Sequence, residues 1–220
     1  MTQPTILAFD TAAPRCAAAL LCGDTIVTRI DEMARGQAEH LMPMLAEMLR
    51  AAGLTWRDLD AVGVGIGPGN FTGIRISVAA ARGLALGLGV PAIGVSTLEA
   101  QVWGFDTAVV SCLAAPQGRV YAQYGIPIRR DPPRLCEMTR ASLPRCPGGA
   151  EVSVIGDVAD AVGEVLDAPT ATARVSVPEG IARIAAARRA VGGPIPRPAP
   201  LYVRAPDAAP PRDAPPRVTP

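Results

Sequence analysis

The amino-acid sequence predicts an α/β fold in which a mixed sheet is flanked by helices. Three observations carry this. The first hundred residues run as three strand-like segments followed by alternating helix and strand patterns, in the order β-β-β-α-β-α-β. Gly23-Asp24 lies between two apolar runs and marks a hairpin, so the opening strands are antiparallel. The two α–β returns that follow require parallel neighbours. A doubly wound sheet would begin β-α-β, so that arrangement is excluded.

Each element has its own signal. Thr5 to Asp10 is a short apolar run ending in an acid, the pattern of a buried strand. Cys16 to Cys22 and Thr25 to Ile30 are the two arms of the hairpin. Gln37 to Gly53 reads as a helix, with Leu41, Met44, Leu45, Met48, Leu49 and Ala52 on one stripe and Gly53 at the stop. Pro43 places the start of that helix near itself or kinks its first turn. Ala61 to Gly65 is a strand, Thr72 to Leu88 a helix and Val90 to Val95 another strand. Ser96 and Glu99 form a capping box that opens one more helix.

Beyond residue 106 the pattern loosens. Strands are expected at Thr107 to Leu113, Arg119 to Tyr124 and Val152 to Gly156, and helices at Val158 to Leu166 and Pro178 to Ala190. Arg129 to Pro147, with four prolines, reads mostly as loop. From Pro194 onward ten of 27 residues are proline, so the tail is expected to be extended or disordered, with Leu201-Tyr202-Val203-Arg204 as its anchoring patch. The expected organisation is a first lobe over 1–104, a smaller second lobe over 105–204 and a proline-rich tail over 205–220.

Composition excludes several chemistries. The 220 residues hold 21 arginines and no lysine, so a Walker-A phosphate loop, a Schiff-base lysine and a lysine general base are all absent. His40 is the single histidine, which excludes a two-histidine zinc motif and any second-histidine relay within the chain. With Glu39 beside it and no visible catalytic partner, His40 reads as a solvated or helix-capping residue. Cys16, Cys22, Cys112, Cys136 and Cys146 are odd in number and form no C-x-x-C pair, which suggests a reducing compartment. Met1-Thr2-Gln3-Pro4 has the character of no signal peptide, and each apolar stretch is broken by arginine, glycine or proline, so a cytoplasmic, membrane-free protein is expected.

Two places carry candidate chemistry. Gly65-Ile66-Gly67-Pro68-Gly69-Asn70-Phe71-Thr72-Gly73-Ile74-Arg75 lies between a strand and a helix, where glycines permit a sharp turn and close backbone approach. Its spacing fails as a dinucleotide fingerprint and leaves two uses open, a tight turn with close helix–sheet packing or a phosphate cradle. Asp10 at the end of the first strand either holds a metal or water, or caps the following turn. Thr11 has the type to contact phosphate, but Ala12-Ala13-Pro14 supplies no glycine. Met33, Met42, Met44 and Met48 gather around the first helix, and Met42 lies off its apolar stripe. Ala79, Gly83 and Gly87 recur every four residues on the second helix, a pattern for close approach to the sheet or to a partner's helix.

These residues together resemble the TsaB (YeaZ) family of bacterial tRNA-modification proteins. The matching segments are Ile6 to Ala12, His40-Leu41-Met42-Pro43-Met44, Gly67 to Arg75, Gly83-Leu84-Ala85-Leu86-Gly87 and Ile93 to Glu99, with Pro200-Leu201-Tyr202-Val203-Arg204 near the end. The match is close over the first hundred residues and thin afterwards. The G-x-G-P-G-x-F-T-G-x-R run is its most specific part.

The resemblance implies an actin-like (ASKHA, RNase H-like) fold of two related lobes, each with a mixed sheet flanked by helices and the second reduced. It implies a non-catalytic subunit that pairs with a TsaD-type enzyme, joined by a TsaE-type ATPase, for threonylcarbamoylation of adenosine 37 in ANN-decoding tRNAs. In that family the catalytic paralogue holds a metal through paired histidines, which this chain cannot supply, so neither metal nor cofactor is expected. Pairing through first-lobe helices would draw on Met42, Leu45, Met48, Leu49, Arg75, Ala79, Arg82, Gly83 and Leu86. Asp10, Thr11, Gly67, Gly69, Thr72 and Gly73 would be a vestigial nucleotide loop. Where many relatives carry Asp-Ala-Arg, this chain has Ala114-Ala115-Pro116. tRNA is expected to be met through the complex, because the basic stretches 119–145 and 174–217 sit in a chain of net charge +1. Self-pairing in isolation stays open. The alternative is a free-standing actin-like ATPase or phosphotransferase built on Asp10-Thr11 and the glycine turn.

Overall fold

The computed structural model describes residues 4–126, 129–145 and 152–203. Cys146, Arg204 and the tail 205–220 lie outside the described residues, as do residues 1–3 of the chain start. The first half builds a five-stranded sheet from β1 (Thr5–Asp10), β2 (Arg15–Cys22), β3 (Thr25–Glu32), β4 (Ala61–Gly65) and β5 (Ala92–Val95), in the spatial order β3-β2-β1-β4-β5. β1 pairs antiparallel with β2, and β2 with β3, while β1–β4 and β4–β5 are parallel. Gly23 turns the hairpin at φ +61, a conformation that glycine adopts without a Cβ penalty.

Helices cover both faces of this sheet. α1 (Gln37–Ala51) and α2 (Phe71–Leu88) lie on one side, over Leu7, Phe9, Ala18, Leu20, Val62 and Val64. The α1 stripe of Leu41, Met44, Leu45, Met48 and Leu49 is buried as its spacing predicts, whereas Ala52 is exposed. The helix begins at Gln37, ahead of Pro43, and runs through it. Proline removes one helical donor there, and both Pro43 and the Glu39 four residues before it face water, which can satisfy the freed carbonyl.

The opposite face carries Ile6, Ala8, Ala19, Leu21, Ile93 and Val95 and is covered by α5 (Val177–Val191) through Ile181, Ala182, Ile184 and Ala185. A helix from late in the chain thus completes the first sheet. Ser176 caps it by accepting from Glu179 N, and Pro178 sits in its first turn.

The second half forms β6 (Ala108–Ala114), β7 (Val120–Ile126), β8 (Arg129–Arg130), β9 (Arg134–Cys136) and β10 (Val152–Gly156). Their order is β10-β6-β7-β8, with β9 also on β7. Two short edge strands therefore lie where the proline-rich sequence reads as loop; each pairs through two or three residues, too few for an alternating pattern. α4 (Ala159–Leu166) packs on this sheet through Val162. The short α3 (Thr97–Ala100), capped by Ser96 Oγ accepting from Glu99 N at 3.0 Å, joins the two sheets. Beyond it, buried Gln101 reaches Ser111 Oγ, Cys112 O and Ile155 O, and Ser111 Oγ donates to Leu98 O.

By length and composition α2 is apolar enough to cross a membrane, although its arginines and glycines interrupt the run as expected. Arg75 and Arg82 lie within it, yet eighteen helical residues keep a mean hydropathy of 1.3. Its inner face, Ile74, Ser77, Val78 and Ala81, packs on the sheet.

Candidate functional site

The glycine turn after β4 is brought against the end of β1. Parallel pairing sets Asp10 beside Gly65, and a methyl built on Gly65 would fall 1.9 Å from Asp10 Oδ2. Asp10 is buried; its Oδ1 accepts from Ala12 N at 3.0 Å, and its Oδ2 has no hydrogen-bond partner among the described residues. Burial pushes the carboxyl above the ordinary aspartate value, partly offset by the Ala12 N–H and the charge of Arg15. Just past β5, at the start of α3, Thr97 Oγ1 is also buried with no hydrogen-bond partner among the described residues.

Gly69 and Gly73 make the next contacts. A methyl at Gly69 would lie 2.6 Å from Ala12 O, and one at Gly73 would lie 1.9 Å from Thr11 O. Asn70 N donates to Ala12 O at 2.7 Å, and the Asn70 side chain caps α2 by accepting from Gly73 N at 2.9 Å. Thr11 Oγ1 donates to Gly73 O. The structure thus gathers Asp10, Thr11, Gly69 and Gly73, and the space between the two turns is filled by their own backbone. Thr72 is exposed, and Gly67, at φ +93, sits against Ile74. Of the two uses open for these glycines, close packing is the one the contacts display.

The nine helix residues divide. Leu45, Met48 and Leu49 point into the core between α1 and the sheet, so they offer no outer surface; the helical stripe that made them conspicuous is the sheet-facing one. Met42, Arg75, Ala79, Arg82, Gly83 and Leu86 face out, with Leu86 82% exposed. A methyl on Gly83 or Gly87 would meet nothing within 4 Å, so the close approach their spacing suggests is not to the sheet. The outward side of α2 is an apolar, glycine-notched surface in the described residues.

His40 is tied to the surface instead of to a reactive centre. Its Nε2 lies 2.7 Å from Asp31 Oδ2, and Arg29 bridges Asp31 and Glu47. Hydrogen bonds from Arg29 and His40 hold the Asp31 carboxyl below its ordinary value. Among the described residues no three His, Cys, Asp or Glu side chains gather as a metal would need. At Ala114-Ala115-Pro116 the backbone is held by other means: Asp157 Oδ1 accepts from Ala114 N at 2.9 Å, and Ala115 N donates to Arg119 O.

Two features lie beyond the sequence reading. Phe71, Arg75 and Tyr202 form an exposed cluster, with the Arg75 guanidinium 3.7 Å from the Phe71 ring centre and Arg75 Nε donating to Tyr202 Oη at 3.0 Å. The segment before Tyr202 runs past β5 and forms one wall of a groove along the end of α2. Only the Tyr-x-Arg match at the chain's end hinted that this segment returns to the first lobe.

Comparison with known proteins adds the family context. Residues 31–125 match the family model described as TsaD, tRNA N6-adenosine threonylcarbamoyltransferase. The tRNA threonylcarbamoyladenosine biosynthesis protein TsaB of Escherichia coli is 38% identical over 125 residues, 54% of each chain. That of Haemophilus influenzae is 41% identical over 102 residues, 46% of this chain and 42% of the other. The matches thus span about half the length of these named relatives. An uncharacterized protein of Mycobacterium tuberculosis is 36% identical over 218 residues, 94% of both chains. The fold is that of YeaZ from Pseudomonas aeruginosa, with a TM-score of 0.71 at 24% identity over 90% of this chain and 99% of that one. A second Pseudomonas aeruginosa structure, of an uncharacterized protein with similarity to peptidase YEAZ, gives 0.76 at 24% identity over 91% and 100%.

Proposed function

The chain belongs to the TsaB/YeaZ family, and from that premise we propose that it is a non-catalytic subunit of tRNA threonylcarbamoyladenosine synthesis. It pairs with a TsaD-type enzyme, joined by a TsaE-type ATPase, and the complex modifies adenosine 37 of ANN-decoding tRNAs in the cytoplasm. The observation that carries this is the outward face of α2. Ala79, Gly83 and Leu86 lie in the open, and the two glycines Gly83 and Gly87 give up helix stability although a methyl at either would meet no described residue within 4 Å. A partner helix packed closely there would use both features. Arg75, Arg82 and Met42 rim the same surface, and the first lobe, residues 1–104, is the docking unit in this reading. The single histidine, engaged by Asp31, supports a supporting role beside an enzyme that brings its own metal ligands.

The test has two arms. Depletion of this protein in its own cell should abolish threonylcarbamoyladenosine in total tRNA, measured by nucleoside mass spectrometry; unchanged levels would refute the pathway. The purified chain mixed with the TsaD-type protein of the same genome should co-elute on size exclusion, with or without ATP. Two separate peaks under both conditions would refute the pairing.

A further inference from the structure

The groove at the end of α2 extends the surface just described and adds Arg197 to its basic rim. It has a volume of about 400 Å³ and lies between the C-terminal half of α2 and the Ile195–Pro198 segment. Apolar side chains of Ala85, Val90, Pro91, Ala92, Ile195 and Pro198 line its floor beside exposed polar groups. Arg82 and Arg197 line it as well; both are exposed, and neither makes a hydrogen bond or ion pair with another described residue. Arg29, Arg183 and Arg188 each lie against an acid of the chain, whereas Arg35, Arg57 and Arg189 share with Arg82 and Arg197 the lack of a side-chain partner among the described residues. What sets Arg82 and Arg197 apart is that they flank one groove.

The wall that carries Arg197 is fixed. Pro198 is buried, its Cβ would lie 3.1 Å from a methyl placed on Gly94, and Leu201 N donates to Ile66 O at 2.8 Å. Arg82 and Leu86, one helical turn apart, belong both to the groove and to the exposed α2 face. A partner on that face reaches the groove without a second contact site.

We propose that this groove receives a carboxylate-bearing segment of the protein partner that packs on α2, with the acid set between Arg82 and Arg197 and its apolar neighbours on the floor. The proposal rests on the pairing put forward above and adds the chemistry of the partner's contact. Charge complementarity selects an acid, because two guanidiniums with no hydrogen bond or ion pair to another described residue flank the groove. The apolar floor selects a protein over RNA, since phosphates gain nothing from Val90, Ile195 or Pro198 while apolar side chains do. An acid held there is partly shielded from water, which strengthens its charge-assisted hydrogen bonds.

The test measures affinity for the TsaD-type protein of the same genome by calorimetry across a range of NaCl. The wild-type chain should bind with an affinity that falls as salt rises. Arg82→Glu combined with Arg197→Glu should weaken binding about ten-fold or more and flatten the salt dependence, while Arg82→Lys with Arg197→Lys keeps most of both. Both residues are exposed, so thermal melting should be unchanged and certifies the fold. An unaltered affinity and salt slope in the charge-reversed variant would overturn the groove while leaving the pairing intact. No binding by the wild type would overturn both. If the charge reversal spares the partner and lowers affinity for total tRNA, or only alters self-association in sedimentation, the occupant is RNA or a second copy and the proposal fails.

Discussion

Thr11 and Gly73, 62 positions apart, meet twice: the Thr11 side-chain Oγ1 donates to Gly73 O at 2.6 Å, and Thr11 O occupies the place where a Gly73 side chain would begin. This contact fixes the first turn of α2 on the end of β1. A sequence signature that reads as a ligand loop is here engaged in holding a helix to a strand.

Gly73→Ala is therefore expected to destabilise the isolated chain by about 3 kcal/mol or more, because backbone at 1.9 Å must move to admit the methyl. Urea unfolding followed by far-UV circular dichroism measures it. A midpoint equal to that of the wild type would mean that the turn and helix are not in this contact.

Asp10 predicts a pH dependence of definite sign. Its folded carboxyl is raised above the unfolded value of 3.8 by burial. Its contribution is complete below that value and is lost as pH rises through the folded pKa, since the unfolded chain then ionises more readily. Asp10→Asn keeps the acceptor for Ala12 N and has no charge to bury. The variant's stability relative to wild type should rise as pH is taken from 4 to 8 in urea unfolding. A constant difference over that span would show that Asp10 is ionised without penalty.

The thiols should separate by burial. Burial, with the charges of Asp31 and Asp10, pushes Cys16 up to about 11, and burial with Asp157 pushes Cys112 up to about 12. Cys136 is raised as well, while Cys22 is exposed. In a Cys22→Ser, Cys146→Ser background, native protein at pH 8 should take up iodoacetamide only after urea is added. Rapid modification in the native state, located by mass spectrometry, would contradict the packing of the labelled site.

What the sequence made legible was local. The hairpin at Gly23, the α1 stripe and the Ser96 cap each depend on residues a few positions apart. The hairpin stands as read, the stripe does apart from the exposed Ala52, and only the Ser96 half of the capping box forms, since the Glu99 carboxylate pairs with Arg188. The placement of α5 does not depend on spacing: Ile181 and Ala185 are apolar on one face whichever sheet they cover, and only the tertiary fold sets them under Ile6 and Ala8. The inward turn of Leu45, Met48 and Leu49 was legible in the α1 stripe; the resemblance also assigned them to a partner surface, and apolarity marks a partner surface and a core alike. Gly69 and Gly73 were legible as special, but their use was not. A glycine reports that something comes close without reporting whether it is a phosphate or Ala12 O.

Gly83 and Gly87 offer the sharpest separation of fold from function. In the isolated chain both Cα positions face open space, so Ala at each should stabilise α2 by about 1 kcal/mol, raising the melting temperature. If a partner helix packs into the notch they form, the same methyls hold the two backbones apart, and affinity for the TsaD-type protein should fall even as the monomer gains stability. The opposite signs matter, because a merely structural role for the glycines would move both readouts together. Calorimetry on Gly83→Ala, with its thermal melt as the companion, decides between them: a stabler chain that binds its partner as tightly as before would remove α2 from the interface.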